Sequence, residues 1–168
     1  MRGRAEIDAA PAIRTRLLVG FAAGAFSHIL FQGGLGMLLY LTGLIPHLIW
    51  SLEPVPPLGV PTTLNNMFWD GLWGIVYAVA EPRLTARLGR RCGGLAFGLA
   101  PLLVYWFIVL PLKGSGVGGG FQADKAAIQL AFDLLFGFGI AVLYGIYGHR
   151  LHRQAGATAL RAARREGA

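Results

Sequence analysis

Asn65-Asn66-Met67-Phe68-Trp69-Asp70-Gly71-Leu72-Trp73-Gly74 sets a single acid inside an apolar run long enough to cross a bilayer. The chain repeats the arrangement at Gln129-Leu130-Ala131-Phe132-Asp133-Leu134-Leu135-Phe136-Gly137. Each copy spaces an amide, an acid and a glycine four residues apart: Asn66, Asp70 and Gly74, then Gln129, Asp133 and Gly137. Four-residue steps on a helix keep such groups on one face, drifting by about 40° per step. An aromatic precedes each acid (Trp69, Phe132) and another follows it three residues on (Trp73, Phe136).

Composition agrees with a bilayer as the solvent. Of 168 residues, 55% are hydrophobic and only 14% charged, against about 25% charged in a soluble domain. The 25 glycines suit transmembrane helices, where small residues let backbones approach. The net charge of +7 sits at the ends of apolar runs. That placement points to orientation in the membrane and contact with anionic headgroups, not to nucleic acid. The lone Cys92 excludes an internal disulfide and a multi-cysteine metal site. No metal and no cofactor is expected. A haem on His28 would want a second axial ligand at similar depth, and His47, His149 and His152 fall at the edges of the runs.

The pattern predicts an all-α membrane bundle of four helices, over about 17–46, 61–80, 93–111 and 124–148. A basic arm (1–16) precedes them and a basic tail (149–168) follows. Pro61 suits a first helical turn, Pro82 a stop or kink, Pro101 a kink, and Asp124 an N-cap. Of 15 Lys and Arg, thirteen lie in the arm, in the 81–92 connection and in the tail, while the connection between helices 1 and 2 has none and that between helices 3 and 4 has Lys113 and Lys125. Both termini are therefore expected to be cytoplasmic. The outer loop, with Trp50, Pro56, Pro57 and Pro61, is stiff and apolar and is expected to lie at the interface or fold back on the bundle. Gly114–Gly120 is its flexible counterpart.

Helix 1 carries Gly20, Gly24, His28, Gln32 and Gly36 at four-residue spacing, a close-packing groove with a polar pair in it. Gly94 and Gly98 repeat its glycines, with Leu102 and Trp106 in place of His28 and Gln32. The acids are offset by 63 residues and the glycine pairs by 74. Two tandem two-helix units with an indel between them fit these offsets, and both units enter from the same side as a parallel repeat.

An ionised carboxylate at mid-bilayer costs roughly 2.5–3.5 kcal/mol on insertion scales. Asp70 and Asp133 must therefore face the bundle interior, a partner or a water-filled cavity. Burial penalises their charged form, which makes them candidate proton carriers. Local satisfaction by Asn66, Gln129 and the indole N–H groups is the structural alternative. His28 likewise either relays protons or holds a helix pair together.

Val55-Pro56-Pro57-Leu58-Gly59-Val60-Pro61, followed by Phe68–Gly74, resembles a family of small proteobacterial inner-membrane proteins with four spans and a proline-rich outer loop. The resemblance implies a multi-pass protein of the bacterial inner membrane. Gly94–Gly114, ending Pro111-Leu112-Lys113-Gly114, is more distantly similar to YagU-like inner-membrane proteins, a family linked to acid resistance. Neither resemblance carries catalytic residues to this chain. Metalloprotease, nucleophile-elbow and phosphate-loop signatures are missing, and no enzymatic activity is expected. The leading expectation is permeation of protons or a small solute along Asp70, Asp133, His28 and Gln32, as a homodimer because four spans are few for a carrier. The alternative is a non-catalytic accessory subunit that binds another membrane protein.

Overall fold

The computed structural model describes the backbone of residues 2–166 and the side chains of residues 13–147. Helix α1 (Arg2–Ser27) runs through a π-helical turn, His28–Gln32, into α2 (Gly33–Leu41). A loop containing the antiparallel pair β1 (Pro54–Val55) and β2 (Val60–Pro61) leads to α3 (Thr62–Val104). A second π turn, Tyr105–Val109, and the short α4 (Leu110–Leu112) follow. A 3₁₀ turn at Val117–Gly120 precedes α5 (Ala123–Glu166). Three stretches among the described residues are long and apolar enough to cross a membrane: Ile13–Leu41, Thr62–Leu112 and Ala123–Tyr147.

The middle stretch has 51 residues, about 76 Å if straight and far more than a hydrocarbon core of about 30 Å. It is not straight. Gly89, at φ 73° and ψ 163°, breaks α3. The rings of Tyr77 and Phe97 lie 5.1 Å apart, where twenty residues of straight helix would separate them by about 30 Å. The backbone of Leu84 lies against Gly93. The chain therefore folds back at Gly89, and α3 has two arms.

Glycines set how the arms pack. A Cβ on Gly24 would overlap the carbonyl of Asp70, and one on Gly74 would overlap the carbonyl of Gly20. On the other side of the bundle, Gly98 stands in the same way against the carbonyl of Asp133, and Gly137 against that of Gly94. Each glycine pair thus seats directly on the backbone of the acid-bearing helix. Between the two packings lie Ala23, Tyr77, Ala78, Phe97, Phe136, Ile140, Ala141 and Tyr144, the buried core. Ser27 closes the ring by donating from Oγ to the carbonyl of Phe136 at 2.8 Å.

Several expected boundaries move, each for a physical reason. The first helix stops at Leu41 instead of residue 46, because Thr42 bonds back to the carbonyls of Leu38 and Leu39 and Gly43 turns at φ 74°. The second runs past residue 80 and through Pro82 to Gly89. Proline frees the carbonyl four residues back, here that of Ala78, and Arg16 Nη2 donates to that carbonyl at 2.9 Å. With the orphan satisfied, the helix continues, and Gly89, which tolerates a left-handed φ, makes the turn instead. Asp124 falls inside the first turn of α5 and not at its N-cap, where it still faces the positive end of the helix. The α5 backbone continues through residue 148 to Glu166 without the expected break before the tail. The side chains of residues 1–12 and 148–168 lie outside the described residues, among them most of the basic arm and tail.

The outer loop folds back on the bundle. Trp50 covers Gly33 and Ile49 covers Gly36, so Gly36 receives the loop instead of a neighbouring helix. Thr63 Oγ1 accepts from the Ser51 amide at 2.8 Å and donates to the Ser51 carbonyl at 2.9 Å, which ties the loop to the start of α3. The other loop is pinned at its far end by Phe121, whose ring lies 5.4 Å from that of Trp106, but Gly114, Gly116 and Gly120 have open space around them. A nonspecific protease added in mild detergent should cut 114–120 well before 47–60. Early cleavage throughout 47–60 would contradict the docked loop.

Candidate functional site: a polar cavity inside the bundle

The π turn in the first helical stretch carries His28 at its first position and Gln32 at its last. The wider turn keeps both on one side while the helix runs on. His28 Nδ1 lies 2.9 Å from Gln32 Oε1 and 2.9 Å from Asp70 Oδ2. Both partners are acceptors, so the ring hydrogen belongs on Nδ1. His28 Nε2 is then a buried acceptor with no donor among the described residues. Such an orphan costs about 1–3 kcal/mol and calls for a functional or structural reason.

On α5, Gln129 Nε2 donates to Asp133 Oδ2 at 2.6 Å. Asp133 is only 6% exposed, and Gln129 is the one side chain bonded to it among the described residues. The two acids are thus satisfied differently. Asp70 has an imidazole, whereas Asp133 has a neutral amide and a second oxygen that takes no donor among the described residues. The amide expected beside Asp70, Asn66, instead lines the space in front of it.

That space is a cavity of about 270 Å³. His28 and Gln32 face it from the first π turn, Asn66 and Asp70 from the first arm of α3, and Gln129 and Asp133 from α5. All six polar residues singled out in the sequence therefore meet in one place. Trp69 and Trp73 complete the wall on the first arm, and Trp69, 57% exposed, carries the rim to the surface of the bundle. Among the described residues, no Lys or Arg side chain lines it.

The second arm contributes residues the sequence did not reveal. Aligning the halves puts Leu102 and Trp106 opposite His28 and Gln32, but Pro101 and Tyr105 line the cavity, each one residue earlier, with Val104 and Val109 beside them. Leu102 is instead buried in the bundle core, 2% exposed, and the second π turn begins only at Tyr105. A second hollow of about 570 Å³ lies under the outer loop and includes Trp50, His47 and Glu53. Pro56, Pro57 and Pro61 lie in the β1–β2 hairpin and line neither hollow. The described residues hold no group of three His, Cys, Asp or Glu side chains placed to bind a metal. No protein-family model, curated protein or solved structure matches the chain.

Proposed function

We propose that this is a small multi-pass membrane protein that passes protons or a small solute through the cavity. The observation that carries the reading is the convergence of His28, Gln32, Asn66, Asp70, Gln129 and Asp133 on one cavity between helices of membrane-spanning length. Polar groups in such helices are expensive and mark ion and proton paths. The His28–Asp70 contact supplies a site where a proton can rest on either partner. Asp133, with only Gln129 beside it, supplies a second carboxyl that can take up or release one.

In this reading each arm of α3 is a separate crossing, which makes four in all and a four-helix bundle. The two glycine-on-backbone packings, Gly24 on Asp70 and Gly98 on Asp133, are the counterparts of a parallel two-helix repeat. The arginine-rich connection around Gly89 shares the cytoplasmic side of a bacterial inner membrane with both termini, where the basic ends meet anionic headgroups. A homodimer supplies the remaining walls of the path. Reporter fusions after residues 56, 88, 118 and 160 should read outside, inside, outside and inside, and an outside signal at 160 excludes this topology.

Flux in proteoliposomes tests the function. Asn keeps the shape of Asp and most of its hydrogen bonding but cannot ionise. Asp70→Asn and Asp133→Asn should each abolish flux while the protein still elutes and melts like wild type. Undiminished flux in the double variant would end the proton-path reading and leave the acids as packing groups.

A further inference from the structure

We infer that the solute of this cavity is a small monovalent organic cation of the ammonium class, held by Asp133 against an aromatic wall. The inference rests on the cavity being a solute site, as proposed above. Charge comes first. The His28–Asp70 contact pairs a carboxylate with a group that can carry the opposite charge. Asp133 has no such partner among the described residues, since Gln129 is neutral and no described Lys or Arg side chain lines the cavity. Asp133 is also more than nine-tenths buried, with one carboxylate oxygen that takes no donor among the described residues. A buried carboxylate with an open oxygen, in a cavity where His28 is already paired with Asp70 and no described Lys or Arg side chain stands in the wall, favours a cation and repels an anion.

Shape and surface come second. The walls include Trp69, Trp73 and Tyr105, and aromatic faces attract cations, most strongly those poor in water-binding groups. A hard inorganic ion asks for several oxygen ligands. Side-chain oxygens line this wall as well, on Asn66, Asp70, Gln129 and Asp133, so it is the indole and phenol surfaces beside them that favour an ammonium ion over sodium. The volume of about 270 Å³ equals that of about nine waters at ~30 Å³ each, and falls just below the ~300 Å³ at which drug-sized pockets begin. It suits an ammonium ion with a few carbon atoms and leaves a large lipophilic cation outside.

The test is thermal unfolding of the purified full chain in mild detergent, titrated with tetramethylammonium chloride at constant ionic strength. Sodium chloride, sodium acetate and tert-butanol serve as comparisons. A ligand that binds only the folded state raises the midpoint in a saturable way. Tetramethylammonium is expected to raise it, and the other three are not. Asp133→Asn should increase the half-saturating concentration about tenfold or more, and Asp133→Glu should retain binding. If Asp133→Asn does not fold, Trp69→Leu against Trp69→Phe decides, with the response weakened only in the former. An equal response to sodium or tert-butanol, a wild-type response in Asp133→Asn, or no response to tetramethylammonium at all overturns the inference. Binding without flux in proteoliposomes removes the transport reading and leaves this one standing, whereas proton flux without ammonium binding does the reverse.

Discussion

Gly24→Ala is expected to lower the unfolding midpoint in mild detergent sharply, while Gly34→Ala leaves it unchanged or slightly raised. The two glycines lie ten residues apart in the same helical stretch and differ in what faces them. A Cβ on Gly24 meets the backbone of Asp70 and Gly74, while one on Gly34 meets nothing within 4 Å. Side chains can swing away from a new methyl group, but a helix backbone cannot. The helices must separate, and overpacking of this kind costs typically about 1–3 kcal/mol. At Gly34 the exchange removes only the entropy cost of glycine in a helix, roughly 0.5–1 kcal/mol in favour of Ala. Gly98→Ala should behave like Gly24→Ala, because it stands against the carbonyl of Asp133 in the same manner. Both changes push an acid-bearing helix outward and should disturb the cavity as well as the fold. Equal midpoints for Gly24→Ala and Gly34→Ala would show that the helices do not pack on these faces.

The second large effect concerns His28 and Asp70. His28→Leu alone leaves Asp70 buried without its partner, whereas after Asp70→Leu the His28 Nδ1–H keeps Gln32 Oε1 at 2.9 Å and the loss is smaller. For His28→Leu the expected loss is about 1–3 kcal/mol from the orphaned hydrogen-bonding group, rising toward ~3–5 kcal/mol if the carboxyl stays ionised. Removing both together should be far milder than the sum, since two apolar side chains of similar volume need no partners. The coupling, read from the four midpoints of a double-mutant cycle, should therefore be large and favourable. Strictly additive losses would mean that the 2.9 Å contact contributes nothing.

The polar composition of the site was legible in the sequence, and its pairing was not. Hydrophobic run length and the four-residue spacing around Asp70 and Asp133 pointed to helices with one polar face each, and those faces meet in the cavity. Spacing within a helix favours local partners, which is why Gln129 was the right amide for Asp133. It gave the wrong partner for Asp70, because His28 lies 42 residues away and reaches it only through the close seat of Gly24 on the backbone of Asp70. The tertiary contact outcompeted the local one. Pro82 misled for a related reason. Its disruptive effect is local, but the carbonyl it frees is satisfied by Arg16, 62 residues from Ala78 in sequence. The π turns at His28–Gln32 and Tyr105–Val109 have no simple composition signal, and the second arm lines the cavity with Pro101 and Tyr105, not Leu102 and Trp106. The glycine pairs were readable because small residues at four-residue spacing have few uses besides close helix approach.

Whether the six polar side chains face water inside the membrane can be measured with single cysteines. The native thiol, Cys92, is exposed and would be replaced by Ser. Cysteines would then replace Asn66 and Gln129 in the cavity, and the exposed, apolar Val76 and Leu103 on the two arms of α3. A thiol reacts as its thiolate, which forms in water and not in hydrocarbon. In sealed vesicles, a small membrane-impermeant thiol reagent should label positions 66 and 129 and leave 76 and 103 untouched, with tetramethylammonium slowing the labelling. Labelling at 76 and 103 as fast as at 66 and 129, or none at 66 and 129, would contradict a water-filled path lined by these groups.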